Sequence, residues 1–307
     1  MEMMTSAWRS LMYGASAAGS AAADIAVGRK ILEKIQLALL QAFQKHGAHA
    51  LSADEIAPIK ALCDQLLPAH FQLSVPDAQA TAITSAAARR KARCVRYQHI
   101  WEDDNFSMGI FILPPGASIP LHDHPEMSVI SRVLYGNLYV KACDIVPQKE
   151  VAALVNQQHF ISEQEALPSQ PQIIARMCAD QVITAPYTTE LLPDRGNLHE
   201  FVAGDAMGCA IFDILTPPYE PDDGRDCTYY RFVGGARVSA SGAANGEDAD
   251  GAFVALEIFD PEDFEVASEP YLGPQLAPHV NGASGGTAPG MSTASSSSSM
   301  SSGSSSP

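Results

Sequence analysis

The spacing of hydrophobic residues along the chain changes near residue 95. Before that point, apolar side chains recur every three or four residues, which is the period of an amphipathic helix. Asp24 is a suitable N-cap and Gly47 a suitable stop for a first helix, and Ser52 with Glu55 forms a capping box for a second. We therefore predict helices over residues 24–46 and from Ser52 to Leu67-Pro68. Their inward faces would carry Ile25, Ile31, Leu32, Ile35, Leu39 and Phe43, and then Ile56, Ile59, Leu62 and Leu66.

After residue 95 the apolar residues come in short runs that are rich in β-branched and aromatic side chains. Pro, Gly and Asp or Asn separate the runs, and Pro114-Pro115-Gly116 and Tyr135-Gly136-Asn137 are turn signals between two of them. Many short strands with no helical period between them predict an antiparallel sandwich or barrel. The predicted strands are Val95–Trp101, Ser107–Leu113, Met127–Tyr135, Asn137–Ala142, Ala210–Leu215 and Phe253–Phe259.

Three segments have compositions that are typical of chain without a packed core. Residues 1–23 are rich in Ala, Ser and Met, residues 236–252 are polar, and residues 275–307 are dominated by Ser, Gly and Ala. Such segments bury too few apolar side chains to offset the entropy of ordering them. We therefore expect a disordered N-terminus over 1–23 and a helical extension over 24–94. A β domain over 95–274, with a loop insertion at 236–252, would precede a disordered tail over 275–307.

Composition limits the partners of the chain. Its 307 residues are 46% hydrophobic, which is enough for a core, and 19 Lys and Arg against 35 Asp and Glu give a net charge of −16. Nucleic acids and anionic membranes are bound by clustered cations, so we expect neither as a partner. Six cysteines without CxxC spacing indicate free thiols in a reducing compartment. We expect a monomer in the cytoplasm or nucleus. The alternative, an organellar transit peptide within residues 1–23, is weakened because Arg9 is its one basic residue.

A segment with two histidines carries the candidate chemistry. His122 and His124 lie two residues apart on a predicted strand, so both rings project to one side and can reach one metal ion. A chance HxH on a surface is the simpler interpretation. However, Gly116 lies six residues before His122 and Gly136 twelve after His124, and these spacings resemble the first motif of the cupins.

The ligand set departs from the usual cupin pattern. The place of the cupin glutamate, seven residues before Gly136, is taken by Val129, and Glu126 is too close to His124 to replace it. The second cupin motif supplies a histidine with Gly-x-x-His spacing, which matches Gly196-Asn-Leu-His199. The predicted metal site is therefore His122, His124 and His199. Three neutral imidazoles leave a divalent metal its full charge, which favours an anionic substrate atom such as a thiolate.

Residues 95–232 resemble the cysteamine dioxygenase and plant cysteine oxidase family of thiol dioxygenases. The end of the β domain, Tyr271-Leu-Gly-Pro274, resembles the plant enzymes as well. The resemblance implies a cupin-type double-stranded β-helix, or jelly roll, with N-terminal helices and a non-haem Fe(II) bound by the three histidines. The stretches that carry it are Phe106-Ser-Met-Gly-Ile-Phe, Ile119-Pro-Leu-His-Asp-His-Pro, Leu198-His-Glu-Phe, Ala210-Ile-Phe-Asp-Ile-Leu-Thr-Pro-Pro-Tyr219 and Cys227-Thr-Tyr-Tyr-Arg231.

The same resemblance implies further site residues. It places the family's catalytic aspartate on Asp213 and its tyrosine, a hydroxyl directed at dioxygen or substrate, on Tyr219. Cys227 and Tyr229 match a pair that can form a thioether crosslink. Each has a simpler alternative, because Asp213 can cap a turn, Tyr219 can be a packing residue, and the last two can be an ordinary core pair.

The implied function is oxidation of the N-terminal cysteine of a protein or peptide to cysteine sulfinic acid by O2. In this family that reaction links oxygen level to protein degradation through an N-degron. The alternatives are cysteamine dioxygenase, another metal-dependent cupin enzyme, and a cupin module that binds without catalysis. Free L-cysteine is less favoured, because its carboxylate needs an arginine and none lies within the histidine motifs. No nicotinamide or flavin motif is present in the sequence, and none is expected.

Overall fold

A computed structural model describes residues 3–77, 94–151, 173–233 and 252–278, and the part up to Leu276 forms one compact unit. Two helices, α1 (Met3–His46) and α2 (Ala53–Cys63), precede the β domain, and two short 3₁₀ helices cover Pro68–Phe71 and Pro221–Asp223. The strands are β1 (Val95–Glu102), β2 (Ser107–Leu113), β3 (Ser118–His122), β4 (Ser128–Ile145), β5 (Ile173–Thr184), β6 (Tyr187–Leu191), β7 (Leu198–Ala203), β8 (Cys209–Thr216), β9 (Tyr230–Phe232), β10 (Phe253–Ile258) and β11 (Val266–Glu269).

The strands form two sheets that share β4. The first sheet has the order β11-β1-β2-β8-β4-β6, and the second has the order β3-β7-β4-β5-β10-β9. Every pair is antiparallel except β1 with β11, which is parallel. Apolar side chains from both sheets meet between them, including Leu113 and Ile211 from the first and Leu138 and Phe201 from the second. This arrangement is the double-stranded β-helix that the sequence predicted.

The turn predicted at Tyr135-Gly136-Asn137 is wrong. β4 runs through it for 18 residues, pairing with β6 and β8 up to Gly136 and with β5 and β7 from Asn137 onward. Gly136 has φ +80°, and a Cβ there would lie 1.9 Å from the Gly208 carbonyl oxygen. The glycine is required because the strand bends from one sheet into the other at a close approach of two backbones, which a local turn signal cannot distinguish from a reversal.

The N-terminal helices cover the outer face of the first sheet. Buried side chains of α1 and α2 pack against alternate residues of β1, β2 and β8, among them Phe212 and Ile214. The predicted inner face of α1 is confirmed except for Ile25, which is only half-buried. The helix begins at Met3 and not at Asp24, so residues 3–23, which were expected to be disordered, are helical, and the first two residues lie outside the described part of the chain. Ala and Met are strong helix formers and no proline interrupts this stretch, which explains the longer helix.

Arg132 fixes the end of α2 to the sheet. The capping box at the start of this helix is confirmed, since the Ser52 N–H donates to Glu55 Oε2 at 2.9 Å. The helix ends at Cys63, four residues earlier than predicted. There the buried Arg132 guanidinium donates to the Asp64 carbonyl at 2.7 Å and to the Asp64 carboxylate at 3.2 Å. A cation at a helix C-terminus satisfies carbonyl groups that have no partner within the helix.

The end of the β domain lies slightly beyond the predicted boundary at Pro274. Leu276 is partly buried against the cluster formed by the helices and the first sheet. The polar insertion at 236–252, apart from Ala252, and the tail from residue 279 lie outside the described residues. Within the described part of the chain, no helix is long and apolar enough to cross a membrane.

Candidate metal centre

Three histidines converge at one end of the space between the sheets. His122 is the last residue of β3 and is the register partner of His199 on the neighbouring strand β7, beyond a bulge that follows Ile119. His124 lies two residues after His122, past the end of β3. All three side chains are buried, and their ring centroids are 4.7 to 4.9 Å apart. The structure therefore brings together the three ligands that the sequence predicted.

The spacing of the ring nitrogens suits one metal ion. Each histidine offers a nitrogen within 4.8 Å of the other two, and the Nε2 atoms of His124 and His199 are 3.0 Å apart. Two nitrogens at that separation can both lie at about 2.1 Å from a common point, the usual length of a metal–imidazole bond. No carboxylate belongs to this cluster among the described residues. The donor set therefore fits a divalent ion held by three neutral nitrogens.

Burial keeps these imidazoles neutral. Removal from water lowers the pKa of His122 to about 4 and lowers the pKa values of His124 and His199 well below the ordinary value. The proximity of the rings to one another adds to the effect for His124 and His199. A neutral imidazole has a free lone pair at neutral pH, so the three groups need not lose protons to bind a metal.

Hydrogen bonds at the far side of two rings set which nitrogen faces the centre. His122 Nδ1 lies 2.8 Å from the Pro120 carbonyl oxygen, so Nδ1 carries the proton and Nε2 is free. The Tyr219 hydroxyl donates to the Asp123 carbonyl at 2.7 Å and lies 2.8 Å from His124 Nδ1, from which it accepts. Such outer contacts orient a ligand and raise its basicity.

Tyr219 makes a contact that the sequence did not predict. Its hydroxyl contacts the outer nitrogen of His124, and its ring stacks on that imidazole with centroids 5.4 Å apart. The role of this hydroxyl toward dioxygen or substrate stays a prediction. The sequence could place the tyrosine after two prolines, but it could not show which side of a distant histidine the hydroxyl would contact.

Asp213 faces the same space from the opposite sheet. It lies on β8 beside Ser131 of β4 and Gly109 of β2, on the inward side that also carries Cys209 and Ile211. Its Oδ1 atom is buried and has no hydrogen-bond partner among the described residues. Burial raises the pKa of this carboxyl to about 7, and a hydrogen bond with Ser131 opposes the rise. A turn cap is excluded, because Asp213 lies within a strand and not at its end.

Cys227 and Tyr229 are brought together beside His122. Tyr229 forms an isolated bridge with His122, and their ring centroids are 6.1 Å apart. The Tyr229 hydroxyl is hydrogen-bonded to the Cys227 thiol, whose pKa burial raises to about 11. The two side chains are thus in contact, and the thioether crosslink between them stays a prediction.

Comparison with known proteins agrees with this site. The family model PCO_ADO matches residues 62–276. The chain belongs to the PCO_ADO family. Human 2-aminoethanethiol dioxygenase is 36% identical over 190 residues, which are 60% of this chain and 69% of the human protein. Plant cysteine oxidase 2 of Arabidopsis thaliana is 32% identical over 229 residues, which are 73% of this chain and 75% of that protein.

The solved structures that resemble this chain are less similar in sequence than these relatives. An RmlC-like cupin from Shewanella frigidimarina is 18% identical with a TM-score of 0.27, over 42% of this chain and 82% of that one. The cupin fold of this PCO_ADO protein follows from its strand order. Its relatives are thiol dioxygenases, and its three histidines are placed so that they could hold a metal ion.

A cavity of about 170 Å³ opens toward the site of this PCO_ADO protein. His199, Ser131 and Phe201 line its buried part, and Glu190 and Arg195 line the part nearer solvent. Arg195 contacts Glu190 at 3.4 Å, and Glu190 also pairs with Lys60 of α2. Arg195 lies just outside the Gly-x-x-His motif, so the motif by itself does not indicate it. Its position directly before Gly196 was the available signal, and its presence weakens the case against a substrate that carries a carbonyl or carboxylate.

Proposed function

We propose that this protein is an Fe(II)-dependent thiol dioxygenase that oxidises the N-terminal cysteine of a peptide or protein to cysteine sulfinic acid. The observation that carries the proposal is that three neutral, buried imidazoles and one buried carboxyl line the same space from opposite sheets. A ligand set without a carboxylate suits an anionic sulfur, and a buried carboxyl with one unpaired oxygen suits the ammonium group two carbons away from that sulfur.

The overall reaction needs no further reductant. A thiol and one O2 give one sulfinic acid, R–SH + O2 → R–SO2H, in which sulfur loses four electrons and dioxygen gains four. Fe(II) held by His122, His124 and His199 would supply the redox chemistry between the thiol and dioxygen. The protein around it excludes water, because all three histidines and Asp213 are buried. A dry site strengthens every charge interaction within it.

Asp213 is the group we assign to the substrate amine. With a pKa of about 7, its carboxyl holds a proton for part of the time at neutral pH. An arriving ammonium group favours the charged form, so the carboxyl would release that proton and pair with the amine. Ser131 would hold the carboxylate in place through the hydrogen bond it already makes. The amine and the sulfur of the substrate would then be fixed from opposite sheets.

The choice between an N-terminal cysteine and cysteamine depends on groups further from the metal. Both substrates have a thiol two carbons from an amine, and the identities to the human and plant relatives are similar. Arg195 supports the peptide, because a guanidinium at the cavity can bind the carbonyl oxygen that cysteamine lacks. The net charge of −16 is compatible with a positively charged chain end. We further propose that the reaction reports oxygen level by marking a protein for N-degron degradation.

Mass spectrometry under ¹⁸O2 tests the reaction. The Fe(II)-loaded protein is incubated with a peptide that begins with Cys, with the same peptide after N-acetylation, and with cysteamine. We expect the free peptide to gain two labelled oxygen atoms and the acetylated one to react far more slowly, because it lacks the ammonium group. A protein that binds stoichiometric iron but oxidises none of these thiols would be a binding module, and the proposal would be lost.

Arg195→Gln tests the substrate choice. We expect kcat/KM for the Cys-initiated peptide to fall about tenfold, the effect of one lost charge-assisted hydrogen bond, with little change for cysteamine. Arg231→Gln is the matched control, since Arg231 pairs with Glu257 and does not line this cavity. Equal losses of kcat/KM for both substrates would mean that Arg195 only supports the structure of its loop. If the variant kept the wild-type kcat/KM for both substrates, Arg195 would no longer favour the peptide over cysteamine.

A further inference from the structure

The pairing of β3 with β7 opens at the point where the third ligand is needed. His122 lies opposite His199, and the same antiparallel register would place His124 opposite Asn197. The backbone N–H of Asn197 does not return to β3, because it donates to the Asp144 carboxylate at 3.0 Å. The main chains of β3 and of the segment before β7 therefore separate after the pair His122 and His199, and none of the described strands pairs with His124.

The side chain of Asn197 makes the hydrogen bonds to His124 that a paired strand would otherwise make. Its Oδ1 accepts from the His124 N–H at 3.1 Å, and its Nδ2 donates to the His124 carbonyl at 2.7 Å. The carbonyl also accepts from the Met127 N–H at 3.1 Å, whereas Asn197 is the one acceptor that the described part of the chain offers to the His124 N–H. Asn197 is 9% exposed, so its amide and the backbone it holds are shielded from water.

We propose that Asn197 is a positioning residue of the metal centre, whose amide fixes the main chain of His124 at the distance from His199 that one ion requires. A primary amide carries a donor and an acceptor side by side, as a peptide group does, so one side chain can hold both polar groups of a residue. It also lies two residues before His199. The amide thus links the second ligand directly to the strand that bears the third.

The contacts of Asp123 show why His124 needs the hydrogen bonds from Asn197. Asp123, between the two first ligands, is held on its other side by Thr228, whose N–H donates to its carboxylate at 2.8 Å, and by the Tyr230 hydroxyl at 2.8 Å. Those bonds fix the segment against β9 and not against β7. Without Asn197 the His124 backbone would be tied to β7 by neither donor nor acceptor. The distance between His124 and His199 would then depend on contacts such as those of Tyr219 and Met127 with His124, and not on a backbone link to β7.

The test uses Co²⁺ as the probe, because its visible spectrum reports coordination and its affinity is measured without turnover. Asn197→Asp keeps the size and the acceptor but replaces the donor by an oxygen facing the His124 carbonyl. Asn197→Ala leaves the His124 N–H unsatisfied. We expect both variants to bind Co²⁺ ten- to a hundredfold more weakly than the wild type, with altered spectra.

Asn137→Asp is the matched control. It makes the same change in charge at an exposed site on β4, five residues from the register partner of His199, and should leave affinity unchanged. If Asn197→Asp does not fold, Asn197→Ser, which keeps an acceptor hydroxyl, should show about a tenfold loss. Affinity within twofold of wild type and an unchanged spectrum in a folded Asn197 variant would overturn the proposal, even if its thermal stability fell.

The inference rests on the three-histidine site of the proposed function but not on the thiol substrate. A wild-type protein that binds Co²⁺ and yet oxidises no thiol would contradict the proposed reaction and leave the role of Asn197 intact. Conversely, an active Asn197→Asp variant with wild-type Co²⁺ affinity would remove this role and leave the reaction intact.

Discussion

The two ends of the space between the sheets differ in chemistry although the same strands build both. Residues two apart on a strand face the same side, so a move of two residues along a strand brings the next side chain that lines the space between the sheets. At each step here a polar residue gives way to an apolar one: His199 to Phe201 on β7, Asp213 to Ile211 on β8, and Ser131 to Val133 on β4. One end is a packed core and the other is the candidate metal centre.

The apolar end determines how the polar end behaves. Phe201 lies against His199, with ring centroids 4.2 Å apart, and is itself buried. The low polarity of these surroundings lowers the pKa values of the histidines and raises that of Asp213. The packed end stabilises the fold, whereas a buried carboxyl with an unpaired oxygen opposes it. Substitutions at each end separate these two contributions.

The largest effect is expected from removal of a ligand. His199→Ala leaves two histidines from one short segment, and we expect loss of stoichiometric iron and of all measurable thiol oxidation. Iron content by elemental analysis and oxygen uptake with a Cys-initiated peptide are the measurements. His99→Ala is the control, because His99 is an exposed residue of β1 outside the cluster. Full iron binding in the His199 variant would remove this residue from the site.

The packed end is tested by Phe201→Ala. Truncation of a buried aromatic side chain costs about 3–5 kcal/mol of unfolding free energy, and chemical denaturation measures it. Phe259→Ala, at a half-buried ring beside Arg231, should cost much less. A cost below about 1 kcal/mol for Phe201 would mean that this end of the interior collapses around the gap and is not closely packed.

The polar end is tested by the pH dependence of stability in the presence of chelator. The folded chain retains a proton on Asp213 up to about pH 7, while the unfolded chain loses it near the ordinary value of 3.8. Stability from this group is therefore present in acid and falls as pH rises between those values, by on the order of 4 kcal/mol. Asp213→Asn should remove this contribution, whereas the opposite contribution of the three buried histidines, whose pKa values are lowered, is present in both proteins and cancels in the comparison. Parallel pH profiles for wild type and variant would show that the carboxyl is not desolvated as described.

The same substitution should reduce turnover. If Asp213 pairs with the substrate ammonium, Asp213→Asn loses a charge-assisted hydrogen bond worth about 1.5–3 kcal/mol, or roughly a ten- to hundredfold fall in kcat/KM. The comparison is made at matched iron content with the Cys-initiated peptide. Wild-type efficiency would leave Asp213 without a catalytic role, and an equal loss with the N-acetylated peptide would indicate an effect other than amine binding.

The smallest effect is expected from Tyr219→Phe. It removes the hydroxyl that holds the Asp123 carbonyl and the outer nitrogen of His124. We expect about a tenfold loss of Co²⁺ affinity, the lower part of the range for contacts behind a metal ligand. Unchanged metal affinity with a large fall in turnover would instead support the original prediction, that this hydroxyl acts on dioxygen or substrate.

Local pattern predicted much of this protein from the sequence alone. The helical period and the capping box placed α2, and β-branched runs placed β1, β2, β8 and β10 within a few residues. The three candidate ligands could be picked out because their motifs are short, with His122 and His124 two apart and His199 three after a glycine. Such features depend on the geometry of a few consecutive residues, which is why they can be read without the fold.

Contacts between distant segments were decided by the tertiary structure. β4 continues through Gly136 because two sheets meet there, and Tyr219 contacts His124 across 95 residues of chain. Arg195 and Asn197 gained their positions from a loop that returns beside β3. The sequence determined which side chains could bind a metal, because ligand chemistry belongs to single residues. Only the fold decided which groups orient them, because a hydrogen bond has a direction that residue spacing does not contain.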